Sequence, residues 1–291
     1  DSKSSIYSAS RIHNYATVLG LIHNFLKENP KYTTDYNGLN KTWVLLFIDY
    51  LCYEKGYTNS SVESFLKCLR AVLNFYDKPI KFKLAEVLNG LRGKKIKNEI
   101  PFLTLEDLSL IKNFPNTDIF QLSNIRDLFL FCAYTGMRFN ESQNINQDNI
   151  INQDGVTVLK YTTSKNGSTI EVPLNDWCIK TFIKWDRTLP KMANDVANKG
   201  VHELLKLCGF TKPVKIVKYN GKNRVEEVKP LYDVITFHDS RKSFGCNLIQ
   251  GSMDLQSVSD LMGVNIQTLI EWYSKSNKQE RNKKALNILN R

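Results

Sequence analysis

Arg138, Lys165, His238, Arg241 and Tyr273 follow one another along the chain, and together they are the residue types that phosphodiester chemistry needs. Two guanidinium groups can grip the non-bridging oxygens in bidentate forks, and a tyrosine hydroxyl can attack phosphorus. A lysine ammonium can then protonate the departing alkoxide. Taken singly, each has an ordinary reading. Arginine is common at helix starts, and lysine at a hairpin tip keeps a protein soluble. Tyr273 is one of 13 tyrosines, with Trp272 beside it as a rival for the packing role. His238 and Arg241 are the most specific pair. Three residues apart near a helix start, both can face one phosphate.

The elements around these residues explain how they could be held. Leu122 to Tyr134 reads as a helix that ends at Thr135-Gly136, so Arg138 opens a new segment. Val156–Tyr161 and Thr169–Val172 read as strands joined by Ser164-Lys165-Asn166-Gly167, which puts Lys165 at a hairpin tip. Lys160, in the strand, is the runner-up and less free to reach a leaving group. A second hairpin is expected from Val214 to Val228, with Asn220-Gly221 at its tip. Helices follow over Arg241–Gln250, Leu255–Met262 and about Gln267–Ser274. A polar, basic helix from about Lys278 to Asn290 ends the chain.

The first hundred residues read as helical. Ile12, Tyr15, Leu19, Ile22 and Leu26 share one helical face. A second helix from about Thr42 to Lys55 stops at Gly56, a natural left-handed cap. Ser60 and Glu63 suggest a capping box for a third, whose apolar stripe runs from Val62 to Tyr76. Its polar face carries Lys67 and Arg70, which meet either phosphates or solvent. From Asn89 to Pro101 the periodicity breaks, and Lys94, Lys95 and Lys97 make the segment a basic linker. Thr104 with Asp107 then opens a new helix. The expected organisation is a helical domain over 1–88, a linker over 89–101 and a second domain over 102–291.

A net charge of +11 and a pI near 9.2, spread over folded-looking segments, favour a polyanionic partner. The 42% apolar and 24% charged fractions are those of a globular protein, and no apolar run reaches the ~18 residues of a membrane span. The six cysteines contain no C-x-x-C and sit in helical patterns, so reduced, buried thiols are expected. Four scattered histidines offer no metal site, and no cofactor is expected. The chain starts at Asp1 without an initiator Met or a secretion signal. It is therefore expected to be a fragment or a processed form, and whether an N-terminal module precedes it stays open.

Ala133-Tyr134-Thr135-Gly136-Met137-Arg138-Phe139-Asn140-Glu141, then Pro173-Leu174 after the first hairpin, then His238-Asp239-Ser240-Arg241-Lys242-Ser243-Phe244, resemble the tyrosine recombinases, or phage-type integrases. From Arg241 the match runs without a gap through Gly251, Gly263 and Tyr273. The extra hairpin before His238 looks like integrases of mobile elements.

The resemblance implies an α+β protein, mainly α with small β-hairpins. Its helical N-terminal domain would clamp double-stranded DNA with a mixed catalytic domain. It implies that Tyr273 is the nucleophile, Arg138 and Arg241 the phosphate clamps, Lys165 the general acid and His238 a base or phosphate donor. Glu141 would buttress Arg138. Lys67, Arg70, Lys94, Lys95, Lys97 and Lys242 would touch DNA. A tetramer on paired sites, a possible accessory DNA-bending protein and a cytoplasmic bacterial or phage setting follow from the same resemblance. One departure stands out: Val264 occupies the place where the family usually has His or Trp, and a valine cannot hydrogen-bond a phosphate. A type IB topoisomerase and a non-catalytic DNA-binding protein are the rival readings.

Overall fold

In the computed structural model, the described residues are 8–32, 40–75, 98, 101–115, 122–164, 167–276 and 286. They form two compact units, one of Asp1–Asn98 with Lys215–Glu227, the other of Glu99–Val214 with Val228–Arg291.

The first unit is helical because its apolar residues recur at helical spacing. Helix α1 (Ala9–Glu28) starts at Ser8, whose side chain accepts from Arg11 N, and α2 (Lys41–Asp49) starts at Asn40, which accepts from Trp43 N at 3.0 Å. The second helix does not run regularly to Lys55. Its end widens into a π-helical turn, Tyr50–Glu54, which buries the consecutive Tyr50, Leu51 and Cys52, and Gly56 follows at φ +69°. Helix α3 (Asn59–Phe75) starts earlier than the expected Ser60–Glu63 box allows. Thr58 accepts from Ser61 N at 3.3 Å, while Glu63 pairs with Lys67 one turn on, at 3.0 Å. A threonine two residues upstream outcompetes Ser60 for the cap. The core closes around Phe25, whose ring lies 5.2–5.8 Å from those of Tyr32, Trp43, Phe47 and Tyr50.

The second unit is built on a buried pillar. Helix α4 (Leu105–Asn113) opens with the Thr104–Asp107 capping box. Helix α5 (Leu122–Thr135) buries ten of its fourteen residues and packs against α4 and the later helices. Short α6 (Phe139–Ser142) follows. Strands β1 (Ile150–Gln153), β2 (Val156–Thr162) and β3 (Thr169–Pro173) form an antiparallel sheet in the order β1-β2-β3, with Lys160 opposite Glu171 and Tyr161 opposite Ile170. Helices α7 (Asp176–Lys184) and α8 (Asn194–Leu207) cover α5, so closely that a Cβ on Gly200 would lie 2.0 Å from Ile125 Cδ1.

The second hairpin is β4 (Pro213–Asn220) and β5 (Asn223–Pro230), turning at Gly221. Helices α9 (Phe237–Gln250), α10 (Leu255–Met262) and α11 (Ile266–Ser276) complete the unit, α9 packing on α5. The fold is α+β, mainly helical with small antiparallel sheets. Strand β1 and helices α7 and α8 are additions to the sequence reading. The basic linker residues Lys94, Lys95 and Lys97 and the expected helix over 278–290 lie outside the described residues, save Leu286. Among the described residues, no helix is long and apolar enough to cross a membrane.

Candidate active site

Three chain reversals carry the site, and each joins a local signal to a distant contact. At the first, Gly136 leaves α5 at φ +66°, and a Cβ there would lie 2.4 Å from the Phe244 ring on α9. Glycine is needed both for the backbone angle and for the approach of α9. Two residues later Arg138 caps α6. Its Nη1 donates to Glu141 Oε1 at 2.9 Å, and its backbone N–H donates to Glu141 Oε2 at 3.1 Å. Glu141 is buried, so one carboxylate fixes the arginine at both ends.

At the second reversal, Thr236 and Asp239 form the capping box that starts α9, and the Asn198 side chain accepts from Phe237 N at 2.8 Å. This sets the direction of His238 and Arg241. Arg241 is 1% exposed; its guanidinium donates to the carbonyls of Gly136 and Met262. Burial, and then the charge of Arg138, push its pKa down to about 10, against the opposing pull of Tyr161 and Glu141. It stays protonated at neutral pH. His238 sits at the exposed rim, its ring edge-on to Trp272 with centroids 6.3 Å apart. Its pKa is lowered by desolvation against the cleft wall; Asp239 opposes this, and Arg241 and Arg138 reinforce it.

The third reversal is Gly263, left-handed at φ +57°, where a Cβ would meet Ile170 Cδ1 of β3 at 2.6 Å. It turns the chain from α10 into α11. Asn265 Oδ1 accepts from Gln267 N at 2.7 Å and so caps α11.

Two adjoining clefts share Arg138, His238 and Arg241. One, of about 510 Å³, extends past Glu141 to Ser164, Asn194 and Asn198; the other, of about 430 Å³, is walled by Val264, Asn265, Thr268 and Trp272. The two arginines and the histidine thus converge as their types suggested. Tyr273 lies on α11 one residue beyond Trp272, and its side chain is outside the described residues. Lys165 is also outside them, although Ser164 before it lines the larger cleft. Lys160 faces the side of β2 opposite the buried Tyr161 and Thr163, and pairs with Glu171 at 2.7 Å.

In the first unit Lys67 and Arg70 are exposed, Lys67 in its pair with Glu63. Lys242 is half-buried beside Arg241. Asn194, Asn198 and Thr268 were not singled out from sequence; a lone Asn or Thr on a helix carries no pattern that would mark it. None of the six cysteines is in a disulfide, and burial pushes the thiol of Cys132 up to about 12. Among the described residues, no cluster of His, Cys, Asp and Glu could hold a metal ion.

The sequence profile of the phage integrase family matches residues 101–280, the span that carries all three reversals. The chain belongs to that family, the tyrosine recombinases. It is similar to tyrosine recombinase XerC of Natranaerobius thermophilus, 24% identical over 263 residues that cover 88% of this chain and 85% of the relative. In fold it is similar to the XerH site-specific recombinase bound to a palindromic difH substrate in a post-cleavage complex (TM-score 0.68, 17% identity, covering 96% of this chain and 80% of that one). A lambda integrase dimer bound to a core site gives a TM-score of 0.64 at 14% identity, with 94% and 91% covered. The Tn1549 transposon integrase with transposon right end DNA gives 0.55 at 15% identity, with 86% of each chain covered. Family membership makes this chain a recombinase by lineage.

Proposed function

We propose that the protein is a site-specific recombinase that cuts and rejoins double-stranded DNA through a 3′-phosphotyrosine. The observation that carries the proposal is the convergence of Arg138 and Arg241 on one cleft, with His238 at its rim and α11, the helix of Tyr273, along its wall. The Tyr273 oxygen attacks phosphorus, forming the phosphotyrosine ester as the bond to the 5′ oxygen breaks. His238, neutral at pH 7, takes the phenol proton. Lys165 gives a proton to the leaving 5′ oxygen. Arg138 and Arg241 stabilise the pentavalent phosphorane from fixed positions. A hydroxyl from a second strand then reverses the step, and two such exchanges pass through a Holliday junction.

The helical first unit, with Lys67 and Arg70, supplies DNA contacts, as do the linker lysines and Lys242. Four protomers on paired sites are the working assembly, and an accessory DNA-bending protein can assist it. Val264, in the cleft wall where a donor would be expected, favours the rival reading of a non-catalytic DNA-binding protein.

Trapping on a nicked duplex decides between them. The parent chain should give a denaturation-stable adduct and Tyr273→Phe none, with DNA binding retained. An adduct that persists in Tyr273→Phe assigns the nucleophile elsewhere. No adduct from the parent leaves the non-catalytic reading.

A further inference from the structure

The first compact unit includes a piece of chain from the second half of the sequence, Lys215–Glu227. Two asparagines of that unit hold it, each by both ends of its amide. Asn59, 1% exposed, accepts from Gly221 N at 2.6 Å and donates to Gly221 O at 3.0 Å. Asn98 accepts from Val217 N at 2.7 Å and donates to Val217 O at 3.1 Å. At the hairpin tip, Lys222 N donates to Tyr53 Oη at 3.0 Å and Asn220 Nδ2 to Gly56 O at 3.1 Å. A Cβ on Gly221 would lie 2.4 Å from the Tyr53 hydroxyl, so the docking needs glycine.

The chain therefore passes between the units after Asn98, after Val214 and again after Glu227. The second and third passages are the two legs of a pinned hairpin. The last leg runs through a 3₁₀ turn, Leu231–Asp233, directly into α9 with His238 and Arg241.

We propose that Asn59 and Asn98 are positioning residues: by holding the hairpin, they set the order of the segment from Val228 into the first turns of α9, and through it DNA cleavage. The cleavage arm of the test rests on the strand-transfer reading above; the structural arm does not.

The test uses the full chain without DNA, comparing the parent with Asn59→Ala/Asn98→Ala by peptide-resolved hydrogen exchange. The amides of Val217 and Gly221 should lose about fivefold in protection, the worth of one hydrogen bond of ~1 kcal/mol. Residues 228–241 should lose about threefold while α5 stays unchanged, the pattern of a local opening. With DNA, adduct formation should fall about tenfold while equilibrium binding changes less than about twofold, as expected when only geometry at the reacting centre is disturbed. A released hairpin with unchanged exchange over 228–241 overturns the proposal, whatever cleavage does.

A parent chain that forms no adduct sinks the strand-transfer reading, and the exchange arm still decides the positioning role. Should the double variant lose protection throughout α1–α3, a second variant is read by its exchange over 228–241 and its adduct formation alone. In it residues 218–223 are replaced by Asn-Gly, which leaves every helix residue in place.

Discussion

The turn Gly136–Glu141 and the first turns of α9 each deliver an arginine to the same cleft, and they support it by different means. Arg138 leans on a buried carboxylate, so its seat is an ion pair and its charge is largely met from within. Arg241 is buried more deeply and is seated on two backbone carbonyls, Gly136 O and Met262 O. Carbonyl dipoles orient a guanidinium without neutralising it. That is why burial and the neighbouring Arg138 lower the pKa of Arg241 while it keeps its proton. One arginine is thus a braced arm, and the other a charge without an ion pair of its own, offset only in part by Tyr161 and Glu141. On the strand-transfer reading proposed above, growing negative charge on phosphorus would call on both.

Lysine substitution should separate the two seats most widely. Lysine cannot fork to two carbonyls, so Arg241→Lys should lower single-turnover cleavage by on the order of 1000-fold, against roughly 100-fold for Arg138→Lys. Equal losses would break the comparison.

Gly136→Ala attacks the Arg241 seat from below. The left-handed backbone and the Phe244 contact together should cost about 2–4 kcal/mol in denaturant unfolding. Gly251→Ala, whose Cβ would meet only ordinary contacts at 3.4 Å, is the control and should stay within about 1 kcal/mol. Similar midpoints for the two variants would show that α9 can yield at Phe244.

Glu141→Gln removes the charge of the Arg138 seat and turns one of its two acceptors into a donor. Cleavage should drop about tenfold, the difference between a charge-assisted and a neutral hydrogen bond, while DNA affinity does not weaken. A loss as large as that of Arg138→Lys would mean that the carboxylate matters as much as the guanidinium it holds.

Desolvation first, and then Arg241 and Arg138, lower the pKa of His238 against the pull of Asp239. Its depressed pKa keeps the imidazole neutral to lower pH than usual, so activity that needs the neutral form is lost only as pH falls below about 6.5. The acid limb of the cleavage profile should lie there, and move up when Arg138 is replaced by Gln; a limb that does not move removes Arg138 from the cause. The smallest effect is expected from Val264→His, a gain of about threefold in cleavage from one added donor among several. No gain in a folded variant would show that Asn265 or Thr268 already fills that place.

Features set by neighbours in sequence were the legible ones. The Thr104–Asp107 cap, the turn at Gly263 and the ends of α10 follow from residues within one or two helical turns. The Ser60–Glu63 box failed for a local reason too, since Thr58 is an equally good cap and Glu63 has Lys67 one turn away. The Arg241 seat could not be read, because its carbonyls come from positions 105 and 21 residues distant. Nor could the tie from Asn198 to Phe237 N, which depends on α8, a helix the pattern reading did not place. Residue types announced the chemistry; their burial is a property of the packed chain.

The discontinuity of the first unit bears on how such a protein can be recombined at the level of its own gene. A chimera joined at the 98/99 boundary would transplant the helices and leave behind the hairpin that Asn59 and Asn98 recognise. Gly221 and its partners would then come from different parents, and the graft would carry a mismatched strap. To move intact, that unit has to be inherited as two separated stretches of coding sequence, one for the helices and one for the strap.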